Sequence, residues 1–111
     1  MSQPLCSLEE LESRGLLAVE AELDGGPESL LVALAGGQVR AYLNVCPHAG
    51  RRLDWAPGKF LREADQVVCA AHGASFLLAD GHCTAGPCRG QALRAVKVEV
   101  VNGAVRLAAS R

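Results

Sequence analysis

A chain of 111 residues, half of them apolar, is long enough to bury one core and too short to hold a second catalytic domain. Charged residues make up 21% of it and the formal net charge is −1, so neither nucleic acid nor an acidic membrane surface is an expected partner. Met1 to Leu11 carries no basic region followed by an apolar stretch, and no segment nears the eighteen or so apolar residues of a membrane helix. The expectation is a single domain, 1–111, that stays in the cytoplasm and meets another protein.

In chain order, Ser7 to Arg14 reads as the one helix, with Ser7 as cap, Glu10 as its capping-box partner, and Leu8 and Leu11 packing on a sheet. Three strands follow: Leu16 to Leu23, Leu30 to Ala35 and Gln38 to Val45. Asp24-Gly25-Gly26-Pro27 and Gly36-Gly37 separate them as turns, which makes an antiparallel meander. Shorter strands are expected near Gln66 to Val68 and Ser75 to Ala79, the latter ending at Asp80-Gly81. Last, Val96, Val98 and Val100 alternate with Lys97 and Glu99, and Asn102-Gly103 supplies the positive φ angles of a tight hairpin before Val105 and Leu107. The fold class is all-β.

Five cysteines form an odd count with no export signal, which fits metal ligation plus spare thiols better than a disulfide framework. Cys46-Pro47-His48 and Cys69-Ala70-Ala71-His72 give a C-x-H and a C-x-x-H pair, each at the end of an expected strand. Two thiolates and two imidazoles suit either an iron-sulfur cluster or a single tetrahedral zinc. A zinc-stabilised binding module would be colourless, with one metal and no labile sulfide.

Cys46-Pro47-His48-Ala49-Gly50, Cys69-Ala70-Ala71-His72-Gly73 and Gly86-Pro87-Cys88 together resemble the Rieske ferredoxin family over nearly the whole chain. The resemblance implies three stacked antiparallel sheets, with a small cluster-binding subdomain at about 45–90 inserted in a larger base. It implies one 2Fe-2S cluster, with Cys46 and Cys69 on one iron and His48 and His72 on the other, their outer ring nitrogens at the surface facing the redox partner. Two neutral imidazoles make such a centre formally neutral when oxidised, so it is easier to reduce than an all-cysteine cluster and works at roughly −150 to +300 mV.

High-potential relatives carry a disulfide between the ligand loops and hydroxyl donors beside the cluster. Here those positions are Ala71, Ala74 and Phe76, and Ser75 points away on strand alternation, so a potential toward the low end is expected. It should fall at high pH as the ligated rings lose protons. Backbone amides near Gly50 and Gly73 are expected donors to the sulfurs. The implied role is a one-electron carrier between a reductase and an oxygenase-type acceptor, not an enzyme. With only His82 left over, the chain cannot build the 2-His-1-carboxylate iron site of an oxygenase. A regulatory or accessory subunit, like the small Rieske-like subunit of nitrite reductases, or a redox sensor, is the alternative.

Two departures stand out: twenty residues separate His48 from Cys69, more than is usual, and Ala70-Ala71 replaces the customary Pro-Trp or Pro-Cys. The extra length, Asp54 to Phe60, is absorbed as a longer loop at small entropic cost, with Trp55 and Phe60 either rimming a partner surface or burying its underside. Cys83 and Cys88 are read as buried thiols rather than a disulfide, Cys6 as a small core or surface residue, and His82 as an exposed turn residue. Residues 1–45 hold seven acids and two bases, a net −5, while 46–111 hold five acids and nine bases, a net +4. Arg51, Arg52, Lys59 and Arg62 lie between the ligand pairs and either face an acidic partner or are simply solvated.

Overall fold

The computed structural model describes residues 4–23, 25–47, 52–56, 58–69 and 73–108. Strand β1 (Cys6–Ser7) runs directly into helix α1 (Leu8–Arg14). Ser7 keeps extended backbone and its Oγ accepts the Glu10 N–H at 2.9 Å, satisfying one orphan amide as the capping pattern requires. Glu9 and Glu10 in the first turn and Arg14 in the last complement the helix dipole. Gly15, at φ +79°, stops the helix and donates to the Leu11 carbonyl. Leu11 is fully buried, as its place in the helix predicts.

Strands β2 (Leu16–Leu23), β3 (Gly26–Ala35) and β4 (Gln38–Leu43) form the expected meander, in register from Leu16↔Ala33 and from Leu30↔Leu43. The break after β2 is shorter than the sequence suggests, because Gly26 and Pro27 already pair with Leu23 and Glu22. Proline is tolerated at the start of a strand, where its missing N–H costs least. At the other end β4 stops two residues early, at Leu43, although the Asn44 N–H still donates to the Ser29 carbonyl in register.

The run Leu30, Leu31, Val32, Ala33 is buried on both faces. Strand alternation sends Leu31 and Ala33 into one core, with Phe76, Val67, Leu53, Cys46 and Cys69. Leu30 and Val32 enter the other, with Leu11, Leu17 and Val105. The β2–β3–β4 sheet is therefore the middle layer, and this explains a continuous apolar run where a sheet with one wet face would alternate.

On one side lies a sheet ordered β5 (Leu61–Glu63), β6 (Gln66–Val68), β7 (Ser75–Leu77), β8 (Cys83–Ala85). β6 matches the expected span and β7 ends two residues short of it. β5 has no apolar face, all three residues being exposed, and β8 has only three residues; neither carries a periodic signal. On the other side β1, β10 (Ala104–Leu107) and β9 (Val98–Val101) form the third antiparallel sheet. Asn102 and Gly103 take φ +52° and +78°, the hairpin geometry the Asn-Gly pair predicts. Val96 is not in that hairpin, since its N–H donates to the Ala41 carbonyl and so ties the incoming chain to β4.

The middle sheet and the β5–β8 sheet are joined at Tyr42, whose buried hydroxyl donates to the Leu78 carbonyl at 2.8 Å. The ring leaves no room for a Cβ on Gly81, which would sit 2.8 Å from Tyr42 Cε1 at φ +77°. Among the described residues no helix is long and apolar enough to cross a membrane.

Candidate metal centre

Cys46 follows β4, and the chain around it is fixed by one buried polar side chain. Asn44 donates its N–H to the Ser29 carbonyl and its Nδ2 to Ser29 Oγ, while its Oδ1 accepts the Leu53 N–H at 3.0 Å. Residues 44 and 53, the two ends of the segment that carries Cys46, are thus tied to one amide and through it to β3. A buried amide with its hydrogen bonds made rigidifies its surroundings, whereas an unmet one would cost about 1–3 kcal/mol.

Cys69 begins the turn between β6 and β7. Its N–H donates to the Ala74 carbonyl at 2.7 Å and its carbonyl accepts the Gly73 N–H at 2.8 Å, with Gly73 at φ +73°. The Gly73 amide is therefore spent within the turn rather than on a sulfur, and Gly50 lies outside the described residues. Both sulfur-bearing residues, Cys46 and Cys69, are 0% exposed and belong to the same core. His48 and His72 also lie outside the described residues.

A third segment touches both turns. Gly86, at φ +95°, packs so closely on the Cys69 turn that a Cβ there would lie 2.7 Å from Ala74 Cα. Two residues on, the fully buried Cys88 places its Sγ 3.5 Å from Cys46 Sγ. The Gly86–Cys88 loop is held by the Arg89 N–H on the Gly86 carbonyl and the Gln91 N–H on the Cys88 carbonyl. No disulfide joins any of the five cysteines. Cys83 is buried and donates to the Ala85 carbonyl, and Cys6 is buried beside Glu10, with burial first and that carboxylate second pushing its thiol pKa up. His82 is exposed, as expected.

In the long segment before β5, the described residues make local hydrogen bonds. Trp55 N–H donates to the Lys59 carbonyl and Lys59 N–H to the Ala56 carbonyl, closing a small turn. Leu53 below it is fully buried and Phe60 packs on the core, while Trp55 is 59% exposed with Lys59 Nζ 5.7 Å from its ring centre. Phe60 thus follows the underside reading, whereas Trp55 stands out into solvent.

Two of the four cations between the ligand pairs make internal contacts. Arg52 forks onto Asp54 with bonds of 2.9 and 2.8 Å, and Arg62 turns back toward Gly15 and the Ala64 carbonyl. Arg51 lies outside the described residues.

Asp54 is buried, and burial alone would raise its pKa. Hydrogen bonds from Arg52, from the Gly58 N–H and from Asn44, together with the Arg52 charge, outweigh that and hold the carboxyl below its usual range. A lowered carboxylate pKa stabilises the fold above the unfolded value of about 3.9, and this is lost as pH falls through the lower folded value. Asp54→Asn should therefore cost about 1–3 kcal/mol at pH 7. Denaturant unfolding at pH 7 and pH 3 should show the gap to the parent protein narrowing in acid; an unchanged gap would reject the charge-based account.

Cys46 and Cys69, buried on two turns that a third loop closes over, offer the soft sulfur donors that iron-sulfur clusters and zinc take. Residues 1–102 match the family model of the Rieske [2Fe-2S] domain, and the chain belongs to that family. It is 35% identical over 83 residues to the ferredoxin component of biphenyl 2,3-dioxygenase from Rhodococcus jostii, covering 75% of this chain and 70% of that one. The ferredoxin of carbazole 1,9a-dioxygenase from Nocardioides aromaticivorans superposes with a TM-score of 0.73 at 28% identity, over 99% of both chains. A Sphingomonas yanoikuyae ferredoxin shares the fold, with a TM-score of 0.74 at 22% identity over 99% of this chain and all of that one. One 2Fe-2S cluster is the cofactor, and the protein is an electron-transfer component rather than a catalyst.

Asn44, Asp54 and the contact of Cys88 with Cys46 are the residues that sequence reasoning missed. The signal available for Asn44 was a polar residue closing an apolar strand two positions before a ligand-type cysteine. For Cys88 the resemblance marked the loop but not what its thiol touches.

Proposed function

We propose that Cys46, Cys69, His48 and His72 hold the cluster, and that the chain passes single electrons from a flavin reductase to the oxygenase of an aromatic-ring dioxygenase system. The observation that carries this is the pair of fully buried cysteines on two turns bridged by the Gly86–Cys88 loop. In the same reading, residues 45 to 90 form a cluster-binding part inserted in one domain spanning 1–111, which accords with β5 to β8 all falling inside those limits. A cytoplasmic place accords with five cysteines and no disulfide. The oxygenase partner is suggested by the names of the relatives at 35% and 28% identity.

When bound, the cluster supplies a one-electron couple. The chain's own part is to bring donors together and keep water out. Leu53, Val67, Ala74, Phe76 and Leu78 are all fully buried beside the cysteines, and the Gly86–Cys88 loop closes the same core. With Ala74 and Phe76 standing where hydroxyl donors would be, the potential falls toward the low end of roughly −150 to +300 mV. Low-potential carriers suit an oxygenase rather than quinol oxidation.

Anaerobically prepared protein should contain two irons and two labile sulfides per chain and give, on reduction, the EPR spectrum of mixed nitrogen and sulfur ligation. Reduction by a flavin reductase and reoxidation by a terminal dioxygenase should then both occur within a turnover. A colourless protein with one zinc would reject the reading, as would a cluster that the reductase cannot reduce.

A further inference from the structure

We propose that Cys88 is a positioning residue for electron transfer: its thiol donates an S–H···S hydrogen bond to the sulfur of Cys46 and raises the reduction potential. The inference rests on the assignment of Cys46 as a cluster ligand. It starts from two side chains with no exposure, 3.5 Å apart between sulfurs and forty-two residues apart in sequence. Either sulfur of two thiols could donate. A cysteine bound to iron has lost its proton, so within this pair the donor must then be Cys88.

Three features fix the donor in place. Gly86 lies against the Ala74 backbone without room for a Cβ, so the loop cannot slide toward the Cys69 turn. The Gln91 N–H on the Cys88 carbonyl closes the loop from behind. Cys46 and Cys88 are both fully buried in a core that also holds Leu53, Phe76, Leu78 and Leu93, and a hydrogen bond to a charged acceptor gains strength where water does not compete.

Reduction adds one negative charge, part of which resides on the sulfurs. A donor to sulfur therefore favours the reduced form over the oxidised one, and the potential rises. With apolar residues at 74 and 76, a thiol on the opposite loop takes over the role of the absent hydroxyls, so Cys88 partly offsets the low potential those positions set.

The test is the midpoint potential at fixed pH, read by EPR-monitored redox titration, in Cys88→Ala, Cys88→Val and Cys88→Ser, with iron and sulfide content measured for each. Alanine and valine remove the donor, one leaving space and the other filling it; serine keeps a proton to donate. Both donor-free variants should retain the cluster and shift negative, by up to about a tenfold change in the equilibrium constant for reduction, which is ~59 mV for one electron. Serine should lie nearer the parent than either, and if one donor-free variant fails to assemble the other carries the comparison.

Parent-like potentials in alanine and valine would overturn the proposal, as would equal shifts in all three variants, which would assign the effect to packing. Loss of the cluster from all three would overturn it too, since a hydrogen-bond donor is not required for assembly. Cys46→Ala separates the two levels of the argument. If it keeps full iron and sulfide, the ligand assignment itself fails, whatever the Cys88 variants do.

Discussion

Cys69→Ala should lower iron and labile sulfide from two each per chain to near zero. The variant is a clean one because both hydrogen bonds that shape the Cys69 turn, to Ala74 and from Gly73, are made by main-chain atoms that alanine keeps. What is removed is the sulfur donor, with a small cavity in the core. Binding free energy released by a metal centre adds to folding free energy, so the thermal midpoint should fall along with the metal content. Cys83→Ala is the matched control: that thiol is as deeply placed, in the same core, but donates to the Ala85 carbonyl. It should leave iron and sulfide unchanged. If Cys69→Ala retained its cluster, or if both variants lost it equally, the assignment of Cys69 as a ligand would be wrong.

Gly86→Ala is expected to produce the next largest effect, in a different way. At φ +95° an L side chain is strained, typically by about 1–3 kcal/mol. The added methyl would also meet Ala74 Cα at 2.7 Å, its nitrogen at 3.2 Å and its Cβ at 3.3 Å. Main-chain atoms pinned by the Cys69 turn cannot swing aside as a flexible side chain can, and overpacking of this kind costs a further ~1–3 kcal/mol. Destabilisation by about 2–5 kcal/mol should therefore appear in denaturant unfolding. The displaced loop should also let chelators bleach the protein faster. Gly103→Ala isolates the backbone part, because that glycine has a similar φ of +78° with nothing within 4 Å of the added atom. Equal losses in the two variants would remove the contact with Ala74 from the explanation.

What could be seen in the sequence follows from how locally each feature is encoded. β2 and β6 were legible to the residue because apolar runs bounded by turn residues mark them. The Asn102-Gly103 hairpin was legible because a two-residue turn has few chemical solutions. Ser7 announced the helix through a single capping bond. β5 was not legible, since Leu61, Arg62 and Glu63 are held by pairing with β6 and bury nothing.

The candidate site divides the same way. Cys46 and Cys69 stood out by their spacing to histidines, whereas Asn44 acts through residues 29 and 53 and Cys88 through residue 46. Partners so distant in sequence leave no local pattern. Trp55 shows a third case: composition could not decide between exposure and burial, and the turn closed by Lys59 decided it.

The double-sided burial of β3 bears on how the molecule comes apart. Leu31 and Ala33 cannot leave the ligand-side core without dragging Leu30 and Val32 from the far one, so neither half has a private melting transition. The turns that carry Cys46 and Cys69 share a core with that strand and inherit their stiffness from the whole molecule. Damage to the distant β9–β10 hairpin then reaches the iron through one shared backbone.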